Sequence, residues 1–360
     1  MAFGKVWANS IIPPQFTAVH WGSSEILPIY FRRISMKPRL RLAFSDFKAA
    51  MNPANHYFTR LLREKYDVEL SDQPEIVIYS CYGSRENFRR YPCTRVYYTS
   101  ENLRPNFADC DYAFTFDYCD HPNHYRLPQY ALHCDVGRLV KTTVDPQKVL
   151  AEKIQFCNFV YSNRYCRFRN AFFRELSKYK HVDAGGRLFN NVGGRVKDKL
   201  EFIRQYKFTL AFENSSYPGY TTEKIGQPML MNSLPIYWGN PLVHRDFNPA
   251  SFLNYFDYGS PRALIERIIE VDRNDELYCQ YVSQPWFHGN RPNAFVDKQN
   301  VLAQFEKILS SPQTPIALKK PEPRLFLIRQ TRNTKLRLKK NWGRLNRWAK
   351  YHWDEMREAS

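Results

Sequence analysis

Between Phe212 and Ile225 the chain reads Phe-Glu-Asn-Ser-Ser-Tyr-Pro-Gly-Tyr-Thr-Thr-Glu-Lys-Ile: a strand end, a polar loop and a helix start. Thr221 or Thr222 can cap that helix, which leaves its free N–H groups and positive dipole end facing the crevice beyond the strand. Such an end favours phosphate. Lys224 falls in the first helical turn, where a cation is unfavourable to the dipole unless an anion lies nearby, so its position itself argues for a bound anion. Glu223 beside it can receive ribose or sugar hydroxyls. An ordinary capped helix with an exposed Glu and Lys explains most isolated patterns of this kind, so the surroundings must decide. Two other patterns suggest a metal. Cys119, His121, His124, His133 and Cys134 lie close in sequence, but their spacing fits no common zinc pattern and the nearby Tyr and Pro read as a loop. Asp109-Cys110-Asp111 offers two carboxylates to a hard cation, yet three-residue patterns arise freely by chance, and the pair reads as loop or strand-start residues.

The elements that must hold these groups follow from periodicity. Alternation over residues 39–44 predicts a strand, and helical spacing over 56–66 a helix. Further strands are expected at 68–70, 75–79, 94–99 and 112–117, and 141–153 reads as a connection or short helix between domains. The second half starts again with a strand at 156–160 and a helix at 168–179; a second helix is expected to end within 201–206. A strand at 208–212, a helix at 221–232 and a strand at 234–238 then form a β-loop-α-β unit. Strand and helix alternating in this way predict an α/β fold with parallel sheets. Gly185-Gly186 and Gly193-Gly194 make neither G-x-G-x-x-G nor a P-loop, and are expected to shape turns near the site.

Composition sets the wider frame. The chain has 360 residues, 43% hydrophobic, enough for two cored domains, and a net charge of +18, which points to a phosphate-bearing partner. The eight cysteines show no C-x-x-C pair and are expected to be free thiols in a reducing compartment. No apolar run approaches a membrane span and the N-terminus has no signal-peptide pattern. Residues 317–360 carry 13 Lys and Arg against 4 Asp and Glu, half of the whole excess. There Leu338, Trp342, Leu345, Ala349, His352 and Met356 form one helical stripe among cations, which suits an anionic membrane surface better than the protein's own body.

FENSSYPGYTTEKI followed by LPIYWGNP resembles the signature of the α1,3-fucosyltransferases, glycosyltransferase family ten. Tyr97-Tyr-Thr-Ser-Glu-Asn-Leu-Arg-Pro-Asn-Phe107, Asp111-Tyr-Ala-Phe-Thr-Phe-Asp117 and Tyr125-Arg-Leu-Pro128 resemble the family's acceptor-side motifs. Arg169-Asn-Ala-Phe172, Asp183 with Gly186-Arg187, and Lys207-Phe208 also fit, and the likeness runs from about residue 39 to 309. It implies a GT-B fold with two Rossmann-like domains facing a central cleft. The expected boundaries are an extension at 1–37, an acceptor-side domain at 38–150, a GDP-fucose-binding domain at 151–312 and a basic amphipathic tail at 313–360.

The resemblance also implies roles. An inverting transfer needs one base for the acceptor hydroxyl and stabilisation of the departing diphosphate on the other face of the sugar. Glu101, in its own right only a loop carboxylate after a strand, matches the family's base and is expected to be partly buried. Arg169 and Lys224 match its diphosphate-binding cations, and Asn214, Tyr220 and Glu223 line the nucleotide-sugar pocket. Glu213 is either a further polar contact or a structural carboxylate beneath the loop. With two fixed cations no metal site and no cofactor are required, though a divalent cation, Mn or Mg, is a candidate stimulator. The implied donor is GDP-β-L-fucose and the acceptor an N-acetyllactosamine-type glycan, lipopolysaccharide-like as in the bacterial members. The implied place is the cytoplasm, peripheral to the inner membrane face. The alternatives are α1,4 or dual α1,3/4 transfer, another GDP-sugar donor, or a basic nucleic-acid-binding protein; no nucleic-acid motif supports the last.

Overall fold

The computed structural model describes residues 37–319. The extension at 1–36 and the tail stripe from Leu338 to Met356 lie outside the described residues.

Two parallel sheets organise the chain. The first contains β1 (Arg39–Ser45), β2 (Asp67–Leu70), β3 (Ile76–Tyr79), β4 (Thr94–Tyr98), β5 (Tyr112–Thr115) and β6 (His124–Arg126), in the order β2-β1-β3-β4-β5-β6. The second contains β7 (Gln155–Phe159), β8 (Val182–Ala184), β9 (Tyr206–Phe212), β10 (Leu234–Trp238) and β11 (Leu253–Asn254), in the order β11-β10-β9-β7-β8. All nine pairings are parallel. Every residue of β3 and β9 is buried, as expected of strands covered on both faces, and this explains their near-continuous apolar sequence. The helices are α1 (Tyr57–Leu62), α2 (Tyr130–His133), α3 (Pro146–Ala151), α4 (Arg167–Ser177), α5 (Lys199–Arg204), α6 (Glu223–Leu230), α7 (Tyr255–Tyr258), α8 (Pro261–Arg273), α9 (Asp275–Ser283) and α10 (Lys298–Leu309).

The expected strands and helices are present, with shorter helices. Residue 56 caps α1 rather than opening it, and α6 stops at Leu230, not 232. Two elements cross the expected domain boundaries. A cut at 150 runs through α3, whose Val149 packs in the core of the second sheet. Ending the second domain at 312 assigns α10 to it, whereas Phe305 of α10 stacks on Phe114 of β5 at 5.0 Å and lies 5.4 Å from Phe58 of α1. The chain therefore crosses back to cover the first sheet. The tail's first residues also dock there, since the backbone N–H of Ile316 donates to Asp111 Oδ1 at 2.7 Å.

The two halves share packing. Ile225 and Met229 of α6 join the core cluster of the first sheet, and Arg126 forms a buried two-bonded ion pair with Asp246 (2.8 and 2.6 Å) that ties β6 to the turn after β10. In each sheet the order reverses once, between β1 and β3 and between β7 and β9. Open parallel sheets hold their ligands beyond the strand ends at such points.

Candidate functional site

The loop after β9 is built on a buried carboxylate. Glu213 has no exposed surface, and it accepts from the Thr222 backbone N–H (2.8 Å) and hydroxyl, with Lys224 Nζ at 3.2 Å. The contacts of Glu213 are to the loop and helix start above it, as expected of the second of its two readings, a structural carboxylate. Thr222 caps α6, and Lys224 Nζ also reaches the Thr222 hydroxyl at 2.9 Å. Asn240, missed in the sequence although it lies in the quoted LPIYWGNP run, accepts from Gly219 N–H (2.7 Å) and donates to Thr221 (2.9 Å). Gly219 has φ +83°, and a Cβ there would stand 2.5 Å from the carbonyl oxygen of Phe116. Only glycine permits that approach without movement.

Arg169 comes from α4, on the β7 side of the second sheet's reversal, and is wholly buried. Its guanidinium donates to Asn214 Oδ1 (2.8 Å) and the Asn163 carbonyl (2.6 Å) and lies 4.0 Å from the Tyr161 ring centroid; Nε has no hydrogen-bond partner among the described residues. These partners are neutral. Gly186 serves this corner, since a Cβ there would collide with the Tyr161 backbone oxygen at 1.9 Å, whereas Gly193 and Gly194 have nothing within 4 Å of such an atom.

Electrostatics bind the group together. Burial alone would lower the Lys224 pKa, but Glu213 and Glu223 outweigh it and hold the ammonium well above its usual range. Burial raises Glu213, against Lys224. For Glu223 burial also acts upward, but Lys224, Lys199 and His133 oppose it and bring the group down to about 2. Lys199 is a further neighbour that the sequence did not single out, and His133, noticed there only as part of a metal-like pattern, also faces Glu223. A carboxylate whose folded pKa is depressed contributes stability above its unfolded value and loses it as pH falls. Stability lost on replacing Glu223 with Gln is therefore expected to be largest above pH 4.5 and to vanish as pH falls toward 2. Urea midpoints of both proteins across that window check it; a difference independent of pH contradicts it.

Glu101 follows β4, across the cleft. Its side chain is 40% exposed; Oε1 accepts from the Tyr82 hydroxyl at 2.8 Å and lies 3.8 Å from Lys48 Nζ. The next residue spans the cleft: Asn102 Nδ2 donates to Ser215 Oγ at 3.0 Å. Tyr220, nearly fully buried, meets Phe116 edge-on at 5.0 Å, and Arg104 lies 3.6 Å over Tyr217. Tyr220 lies within electrostatic reach of Glu101, Glu223 and Lys224, while Asn214 and Arg169 meet each other on the second sheet's side.

Residues of the two metal-like patterns have partners within the chain. Asp109 pairs with Arg89 at 2.8 Å, and Asp111 accepts from the Arg95 backbone at 2.8 Å. His121 stacks on Phe107 and His124 bonds Thr115 (2.8 Å); no metal-binding group of three His, Cys, Asp or Glu exists among the described residues. All eight cysteines are free, seven of them buried. No described helix is long and apolar enough to cross a membrane.

Two parallel sheets facing a cleft, with a cationic helix start on one side and a carboxylate on the other, define the GT-B class of glycosyltransferases. Two solved structures of alpha1,3-fucosyltransferase are similar at 28% identity. One has a TM-score of 0.69 over 79% of this chain and 93% of that one; the other, with GDP-fucose, has 0.64 over 79% and 95%. The family model of the alpha-(1,3)-fucosyltransferase FucT N-terminal domain matches residues 42–133, and that of the glycosyltransferase family 10 (fucosyltransferase) C-terminal region matches 150–307. The chain belongs to glycosyltransferase family 10. It is 35% identical over 297 residues to the alpha-(1,3)-fucosyltransferase FucT of Helicobacter pylori, which covers 70% of this chain and 61% of that protein's length. It is 30% identical over 191 residues to the GDP-fucose protein O-fucosyltransferase 3 of Xenopus laevis, covering 47% and 40%.

Proposed function

We propose that the protein moves L-fucose from GDP-β-L-fucose to the 3-hydroxyl of N-acetylglucosamine in a glycan, with inversion at the anomeric carbon. The observation that carries this reading is the cross-cleft assembly: a partly exposed carboxylate, Glu101, whose neighbour Asn102 bonds the loop after β9, with Arg169 of α4 and Lys224 of α6 on either side of that loop. In the proposed step Glu101 takes the proton of the acceptor hydroxyl as its oxygen bonds to the anomeric carbon. The bond from that carbon to the β-phosphate oxygen breaks, and its electron pair leaves on GDP beside the two cations. Asn214 and Tyr220 line the donor pocket, and Glu223 holds sugar hydroxyls.

Acceptor binding is supported by a cavity of ≈ 600 Å³ beside Glu101, lined by Phe47, His56, Tyr82 and Tyr98 with the amides of Asn52 and Gln129. Aromatic faces suit the apolar faces of sugar rings, and amides suit their hydroxyls. The related proteins are named alpha-(1,3)-fucosyltransferase and GDP-fucose protein O-fucosyltransferase, so an acceptor panel is required. GDP release from GDP-fucose should depend on N-acetyllactosamine; equal release from GDP-mannose would overturn the donor assignment.

Because Arg169 and Lys224 meet the leaving-group charge, chelation is expected to leave transfer running, with Mn or Mg at most stimulatory; complete loss on chelation contradicts this. The basic stretch from 317 to 360 is proposed to hold the enzyme at an anionic membrane. Truncation before Ala317 should abolish binding to anionic vesicles while sparing activity on soluble acceptors, and unchanged flotation with the vesicles would refute it.

A further inference from the structure

Lys48, Tyr82 and Glu101 form a small cluster with a direction. The Tyr82 hydroxyl donates to Glu101 Oε1 (2.8 Å), and Lys48 Nζ lies 3.8 Å from that same oxygen and 4.8 Å over the Tyr82 ring. Among the described residues Oε2 has no such contact. Lys48 follows β1, Tyr82 follows β3 and Glu101 follows β4, so the cluster gathers at the reversal point of the first sheet.

Tyr82 is itself fixed from behind. Its backbone N–H donates to the Asp46 carbonyl at 2.8 Å. The buried Asp46 side chain accepts from the backbone N–H groups of Arg85 and Phe88, both at 3.0 Å, which folds the loop that carries Tyr82. The Tyr82 hydroxyl also lies 3.1 Å from Ser100 Oγ. Burial pushes the phenol pKa up, so it remains a donor wherever the carboxylate is ionised. This support is more than a solvent-facing tyrosine needs.

We infer that Tyr82 is a positioning residue for the Glu101 carboxylate, holding Oε1 so that Oε2 is the oxygen left to take the acceptor proton. This rests on the reading of Glu101 as the base. A carboxylate 40% exposed on a loop can otherwise turn through several rotamers, and small misplacements of a reacting group lower turnover without altering donor binding. No phosphate contact is involved, so the effect belongs to kcat.

The test uses four full-length proteins: the wild type, Tyr82→Phe, Glu101→Gln and the double variant. Each is assayed for GDP release from GDP-fucose with N-acetyllactosamine, and for GDP affinity as the measure of an intact fold. Tyr82→Phe is expected to lower kcat about 10- to 100-fold with the donor KM and GDP affinity unchanged. On the Glu101→Gln background the same substitution is expected to change the residual rate little, because the group it positions is gone. Wild-type kcat in Tyr82→Phe, or the same fold-loss on both backgrounds, overturns the positioning role. A fully active Glu101→Gln overturns the base assignment instead, and the single variant reads that outcome separately.

Discussion

Glu101→Ala is expected to remove nearly all transfer while GDP binds as before. Loss of a positioned general base lowers the rate by about 10²- to 10⁴-fold. Glu101 belongs to the first sheet's loops, with its side chain held by Tyr82 and Lys48, and the proposed diphosphate contacts Arg169 and Lys224 belong to the second. The link between them, Asn102 to Ser215, does not use the Glu101 side chain. Removing that side chain should therefore leave the donor loop in place. Steady-state rates and calorimetric titration with GDP check the two halves of this result; full activity, or loss of GDP binding, contradicts it.

The second large effect is expected from Lys224→Ala, and it should appear in both binding and stability. Glu213 is fully buried, and its cationic partner is Lys224 at 3.2 Å. Breaking a buried ion pair from one side costs about 3–5 kcal/mol, because the remaining charge is left uncompensated. Loss of a charge-assisted phosphate contact should separately weaken GDP by about 10- to 100-fold. The two effects can be separated. Glu213→Gln combined with Lys224→Met should recover much of the stability, since an amide oxygen can still accept from Thr222, but none of the GDP affinity. Urea midpoints and GDP titrations of the three proteins decide it; affinity that returns with stability would show that Lys224 acts through the fold alone.

Much of this arrangement was legible in the chain. Period and turn chemistry marked β9, the loop and α6, because a fully buried parallel strand reads as an unbroken apolar run and Thr221 or Thr222 reads as a cap, the structure choosing Thr222. Lys224 in a first helical turn argued for a bound anion, and the folded chain sets its own Glu213 and Glu223 beside that ammonium. The limits were set by distance along the chain. Nothing local in residues 298–309 shows that α10 returns to Phe58 and Phe114, since an apolar stripe does not name the face that it covers. Arg126 and Asp246 are likewise 120 positions apart, and neither is notable alone. Glu213 stayed ambiguous because burial, not residue type, separates a structural carboxylate from a contact. Tyr82 was passed over for the same reason: only the folded register of β3 and β4 sets its hydroxyl on Glu101.

The claim at the centre is a direct displacement across the cleft, with the base on one sheet's loops and the leaving diphosphate on the other's. The anomeric configuration and linkage of the product, determined by NMR after reaction of GDP-β-L-fucose with N-acetyllactosamine, test it most directly. An α-fucosyl group on the 3-hydroxyl of N-acetylglucosamine is predicted. A β-fucosyl product would contradict inversion, and attachment at any other hydroxyl would contradict the proposed acceptor geometry.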